Sequence, residues 1–313
     1  MNAVPLLPGY HWHWVAQIWR RRGLGELANA TATKSSARFP TSWPPNSAIT
    51  ICRMRRTFAA LTARLPQGWG DLGRQIGLLL IVDLIYESAR GFAEGKQAPA
   101  FAHGQAIIDL EGGTHTFFEP ALQEFFLGAT WLIDFANQIY MNSQFAVVLG
   151  FFFWVYFFRN DAYYFVRNMF MVAMCLAVVG YTLYPTAPPR LFPQYGFADT
   201  INDFSSVNHD SALVKLFINP YAAVPSMHCA FSAMIGFSGA RLARHRVARA
   251  FWIAWPLLVA WVVVVTGNHY WVDVALGWMV AATAALVAQR LLARARPHAW
   301  AWRYSPSPLE AEA

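Results

Sequence analysis

Uncharged stretches approaching the roughly 20 residues that a helix needs to cross a bilayer recur along the chain. They predict six spans, with cores at residues 77–89, 142–158, 168–184, 226–240, 250–267 and 270–289. The first is flawed by Asp83 and Glu87, which share a helix face near Arg90. Between the first two spans, residues 103–140 mix acids with apolar side chains, as in Phe117-Phe118-Glu119-Pro120 and Glu124-Phe125-Phe126. That pattern predicts one or two amphipathic helices lying in the interface, with Glu124 and Asp134 on solvated faces. Residues 1–71 are rich in Pro, Ser, Thr, Arg and Trp without sustained periodicity, so a loosely ordered arm is expected there. Residues 72–292 then form the membrane domain and 293–313 a tail. Arg20-Arg21-Arg22 is followed by Gly, Glu, Asn and Thr, not by the apolar core of a secretory signal. Met54-Arg55-Arg56 reads as a second candidate start, which would make residues 1–53 an upstream extension.

Composition narrows the class. Of 313 residues, 56% are hydrophobic, 16% aromatic and 13% charged, and there are 14 Trp and 24 Phe. Soluble domains carry about twice that share of charge, so a soluble enzyme, a disordered chain and a coiled coil are all disfavoured. The net charge of +7 invites a nucleic-acid reading, but its placement argues otherwise. With six spans, the arm, the turns at 159–167 and 241–249 and the tail share one side and hold most of the Lys and Arg. The opposite side receives only Arg90, Lys96, Arg190 and Lys215. The positive-inside rule then makes both termini cytoplasmic, and no nucleic-acid partner is expected. Cys52, Cys175 and Cys229 are too few and too scattered for a disulfide framework or a thiolate metal site, and read as structural.

Two long loops, 91–141 and 185–225, face the opposite, outer side. Tyr184-Pro185-Thr186-Ala187-Pro188-Pro189-Arg190 ends the third span, because its prolines forbid continued helix. Asn219-Pro220-Tyr221-Ala222-Ala223-Val224-Pro225-Ser226-Met227-His228 leads into the fourth, where Pro225 suits the first helical turn. The chain crosses inward, turns, and returns to Gly267-Asn268-His269-Tyr270-Trp271-Val272-Asp273. His228, His269 and Arg190 are thereby predicted to meet at one outer face. His269 and Asp273 are four apart on one helical face, a spacing at which the carboxylate can orient the imidazole and stabilise its cation. Asp273 is also the only acid between Asp210 and Glu310, and an acid in a membrane segment is costly and by default functional. Two other readings stand beside this one. His269 and Asp273 have metal-ligand spacing, but no third ligand beyond His228 and no use for Arg190. Ser226 as a nucleophile lacks a Gly-x-Ser-x-Gly elbow.

Pro225-Ser226-Met227-His228 and the Gly267–Asp273 segment resemble the second and third signatures of the type 2 phosphatidic acid phosphatase (PAP2) superfamily. The Tyr184–Arg190 and Asn219–Ala223 segments resemble its inositolphosphotransferase branch, which includes the inositol phosphorylceramide synthases. The resemblance spans residues 72–292. It implies an all-α, six-transmembrane-helix bundle and cofactor-free, metal-independent chemistry through a phosphohistidine. Under it, His269 is the nucleophile, Asp273 its orienter, and His228 the general acid and then base. Arg190 and Ser226, with Asn268, Tyr184 and Tyr221 from the same motifs, form the phosphate-binding set. The substrate would be a lipid phosphate or phospholipid, and an inositol-containing acceptor would serve in the transferase case. The chain departs from the wider superfamily at Leu183 and Arg190-Leu191, where Lys and Arg-Pro are common, and at Val263, where Arg is common. A non-catalytic lipid-binding protein that kept the fold is the competing class.

Overall fold

The computed structural model describes residues 62, 65–91, 96–201 and 221–302, which fall in a unit running from Leu61 to Ala313. The predicted arm before residue 61, together with Cys52, Lys215, Asn219 and Pro220, lies outside the described residues. We number the helices α1 (Gly68–Gly91), α2 (Gln97–Gly113), α3 (Glu119–Leu127), α4 (Thr130–Asn142), α5 (Val148–Phe158), α6 (Asn160–Leu183), α7 (Met227–Leu242), α8 (Arg246–Val265) and α9 (Trp271–Val287). Two short helices, α10 (Ala293–Ala295) and α11 (Pro297–Trp300), follow. Among the described residues the one sheet-like feature is an isolated parallel bridge between Thr186 and Ala222.

Three helices are long and apolar enough to cross a bilayer: α6, α8, and α9 with its continuation to Ala295. The pair α4 and α5, bent by 53°, makes a fourth if taken as one span. The other two predicted spans differ for physical reasons. Helix α1 has 24 residues but carries Asp71, Arg74, Asp83 and Glu87. Helix α7 has 16 residues, which at about 1.5 Å each falls short of a hydrocarbon core of about 30 Å. Apolar side chains nonetheless face outward from most of these helices, including Leu80 and Ile81 on α1, Leu149 and Phe153 on α5, Leu257 on α8 and Met279 on α9. Such a belt suits lipid contact.

Two boundaries moved. The predicted span at 142–158 opens with a π-helical turn, Ser143–Val147, and continues directly from α4. Helix α4, expected in the interface, instead buries Ile133 and Ala136 against Val262 and Val265 of α8. Helix α6 starts at Asn160, not 168, because Arg167 does not end it. That guanidinium is buried, donates to Gln75 Oε1 (2.6 Å) and Asn168 Oδ1 (2.6 Å), and lies over the rings of Tyr164 and Trp300. A charge so satisfied can sit inside a bundle. Cys229 is buried as expected, whereas Cys175 is exposed on α6. Glu124 and Asp134 are exposed, as predicted for solvated faces.

The main core joins α6, α7 and α9. Their contact fixes the corner at Pro225 and Ser226. Tyr181 Oη on α6 donates to the Pro225 carbonyl (3.1 Å), and the Ser226 N–H donates to the Asp273 carbonyl (3.2 Å). Ser226 is the N-cap of α7, so Pro225 stands just outside the helix and not in its first turn. Gly277 on α9 allows the approach: a Cβ there would lie 2.3 Å from the Ser226 carbonyl oxygen. Overpacking of this kind costs about 1–3 kcal/mol. Gly277→Ala is therefore expected to lower the thermal midpoint of the detergent-solubilised protein by several degrees; an unchanged midpoint would mean that α7 and α9 are not locked at this point.

Candidate active site

The return from α8 to α9 needs a left-handed residue, and Gly267 supplies it at φ 67°. The turn then folds back on α8: the N–H groups of Asn268 and His269 both donate to the Val263 carbonyl, at 3.0 and 3.1 Å. Val263 stands where the wider resemblance calls for Arg, and its side chain is fully buried in the core. His269 emerges at the start of α9 with its Nδ1 3.3 Å from Asp273 Oδ2, both residues buried. Asp273 also accepts the Tyr270 N–H at 3.1 Å. One carboxylate thus caps the helix and holds the imidazole by its Nδ1 edge.

His228 arrives from the opposite side, in the first turn of α7, where Ser226 Oγ accepts the Cys229 N–H at 3.4 Å. Its ring centroid lies 6.0 Å from that of His269, at an interplanar angle of 58°. Tyr140, at the end of α4, stacks on His228 at 4.3 Å. Arg190 reaches the same place from a 3₁₀ turn, Pro189–Leu191. Its N–H donates to the Gly267 carbonyl at 2.8 Å, and its Nη1 donates to Asn268 Oδ1. Asn268 is fixed in turn by donating to Thr266 Oγ1 at 2.8 Å. Arg190 is thus joined to Asn268, and His228 faces His269 and its partner Asp273. A small void beside His228 is lined by Phe231, Ser232, Ile235, Trp255 and Val259.

Not every predicted residue joins them. Ser226 is fully buried, and its Oγ serves as the cap of α7. Tyr184 is stacked on His103 at 3.9 Å, and Tyr221 lies against Phe101, both on the flank near α2. Arg167 sits a helix length away from Tyr184, at the end that gathers Gln75 and Trp300.

Sequence reasoning missed several supports. Gln123 brackets Ala198, donating to its carbonyl (3.1 Å) and accepting its N–H (2.8 Å), while Asn137 donates to the Thr200 carbonyl (2.9 Å). Together they hold Asp199, whose Oδ2 lies 3.9 Å from Arg190 Nε. Tyr140, Glu111 and Glu119 were missed as well. All come from the stretch read as interfacial; their signal was polar side chains at positions an amphipathic helix would bury.

A family model described as the PAP2 superfamily matches residues 105–287. The chain belongs to the PAP2 superfamily. It is thus a membrane enzyme of phosphatase or phosphotransferase type. No curated protein and no solved structure matched the chain. The matched PAP2 segment starts inside α2 and ends with α9, so it contains the histidines and their supports but not α1.

A hydrogen bond to a charged group is worth about 1.5–3 kcal/mol, or roughly tenfold and more in affinity. Asn268→Ala, which frees Arg190, is accordingly expected to weaken inhibition by vanadate, a phosphate mimic, by about tenfold. Unchanged inhibition would mean that Asn268 does not hold the anion-binding guanidinium.

Proposed function

We propose that this PAP2 enzyme breaks a lipid phosphoester through a phosphohistidine on His269 and passes the phosphoryl-bearing group to an alcohol. The observation that carries the reading is the buried His269–Asp273 pair with His228 facing it and Arg190 tied to the neighbouring Asn268. With Asp273 on the Nδ1 side, the proton stays at Nδ1 and the Nε2 lone pair attacks phosphorus. The bond from phosphorus to the lipid or head-group oxygen breaks, and His228 gives that oxygen its proton. In the second half His228 takes a proton from the acceptor hydroxyl. The acceptor oxygen attacks phosphorus, the P–N bond breaks, and His269 is restored. Arg190 balances charge on the non-bridging oxygens. Tyr140 keeps the His228 ring in its plane.

Two observations favour an alcohol acceptor over water. Thr186 and residues Tyr221 to Ala223, from the segments that resemble the inositolphosphotransferase branch, lie side by side, with the Thr186 N–H donating to the Tyr221 carbonyl (2.9 Å) and the Ala223 N–H to the Thr186 carbonyl (3.2 Å). The side chains packed beside His228 are also mostly apolar, which disfavours free water at the phosphoenzyme. Hydrolysis to a lipid alcohol and phosphate is the second reading. In our proposal α1 and α7 complete six spans, both termini are cytoplasmic, and the histidines work at the outer face.

The test is turnover of labelled phospholipids, polyprenyl phosphates and inositol-containing acceptors by wild type and Asp273→Asn. A new phosphodiester lipid, reduced about 10³–10⁴-fold in the variant as when a triad carboxylate is lost, is the expected result. Free phosphate alone would make the enzyme a phosphatase, and unchanged turnover in the variant would remove Asp273 from the mechanism.

A further inference from the structure

The first amides of α9 all end on carboxyl oxygens. The Tyr270 N–H donates to Asp273 (3.1 Å), the Trp271 N–H to Glu119 Oε1 (3.0 Å) and the Val272 N–H to Glu111 Oε1 (3.3 Å). Glu111 comes from the last turn of α2 and Glu119 from the first residue of α3, so two helices outside the crossing segments converge on the start of α9. All three acids have 0% exposure. A helix N-terminus carries only about half a positive charge, too little for three buried carboxylates.

Glu111 and Glu119 take the amides of consecutive residues, Val272 and Trp271, which makes their carboxyls neighbours. Each has one oxygen on an α9 amide, and the other oxygen, Oε2, is buried without a donor. Among the described residues neither is ion-paired with a cation, and no three acids, histidines or cysteines are grouped as metal ligands. One proton shared between the two carboxyls removes one of the two charges. Burial, then the neighbouring Glu119 charge, pushes the Glu111 carboxyl up to about 9; the Val272 N–H pulls the other way and loses. The titratable groups around the pair are Asp273 and Tyr270 at the α9 start and Tyr195 on the adjoining turn, with His269 behind Asp273.

We infer that Glu111 and Glu119 are positioning residues, a proton-sharing carboxyl pair that holds the start of α9 and keeps His269 and Asp273 in register. Neither touches the reacting atoms. Losing the shared proton puts a second charge beside Glu119 and Asp273, forces the two carboxyls apart and releases the Trp271 and Val272 amides. Activity then falls on the alkaline side. Stability follows the same proton. The native pair keeps a proton that an unfolded glutamate, with its pKa near 4.5, gives up. The pair's contribution is therefore full below about 4.5, declines as pH rises, and is gone above about 9.

The catalytic part of this inference rests on His269 and Asp273 being the reacting pair; the stability part does not. Both are read on full-length protein in detergent, as wild type, Glu111→Gln and Glu119→Gln. A glutamine at either position still accepts its α9 amide and offers an N–H to the remaining glutamate, but has no proton to lose. The measurements are thermal midpoint from pH 6 to 10 and, on whichever lipid substrate turns over, kcat/KM relative to its own value at pH 7. For wild type, kcat/KM is expected to fall about tenfold by one unit above the pair's pKa, whereas the midpoint declines from pH 6 up to about 9 and levels off beyond it. Either glutamine variant should flatten both curves. Wild-type-like alkaline losses in both variants would overturn the inference, as would midpoints lowered equally at every pH. If no substrate turns over, the midpoint curves alone decide it, so failure of the proposed function and failure of the proton-sharing pair remain distinguishable.

Discussion

Asp273 Oδ2 accepts from the backbone of Tyr270 and faces the ring of His269, in a place with no solvent exposure. A carboxylate there cannot borrow hydrogen bonds from water, so the local chain must supply them. The supply is the start of α9, and its geometry dictates much of what surrounds it. The Gly267 turn sets the direction of approach, and α2 and α3 bring further acids to the next two amides. The Ser226 amide ties the start of α7 to the Asp273 carbonyl. Position one atom of this arrangement and the two histidines follow.

The close approach of α7 and α9 works through absence of bulk. Gly277 lets the Ser226 carbonyl reach α9, and Gly180 on α6 receives the ring of Pro225, 2.7 Å from where a Cβ would stand. Small residues at helix crossings are the usual means of packing in lipid, where burying apolar surface gains little. The PAP2 match covers this crossing and the loops that join its helices.

Much of this was legible in the sequence because it depends on order and spacing. The i, i+4 relation of His269 and Asp273, and the return of the chain to Arg190 and His228, follow from where apolar stretches begin and end. Other features depend on packing that hydropathy does not encode. Arg167 looked like a helix end, yet Gln75, Asn168 and two aromatic rings satisfy it inside the bundle. Residues 103–140 read as interfacial since their acids interrupt apolar runs. Glu111 and Glu119 are buried because they meet amides of α9 more than 150 residues away, and no local pattern carries that pairing. Tyr184 and Tyr221, placed in the phosphate set by motif alone, have their rings against His103 and Phe101. The predicted first and fourth spans are where hydropathy and structure part, α1 for its charges and α7 for its length.

The central claim is that His269, oriented by Asp273, carries the phosphoryl-bearing group. Its most direct test is to mix the enzyme with a phosphorus-labelled lipid substrate, quench in alkali within milliseconds, and map the label by peptide mass spectrometry. Phosphohistidine survives alkali and is lost in acid. The account predicts label on His269, stable to base, absent in Asp273→Asn and formed more slowly in His228→Ala, which has lost the acid for the first step. Label on His228, or turnover with no labelled histidine at all, would contradict it.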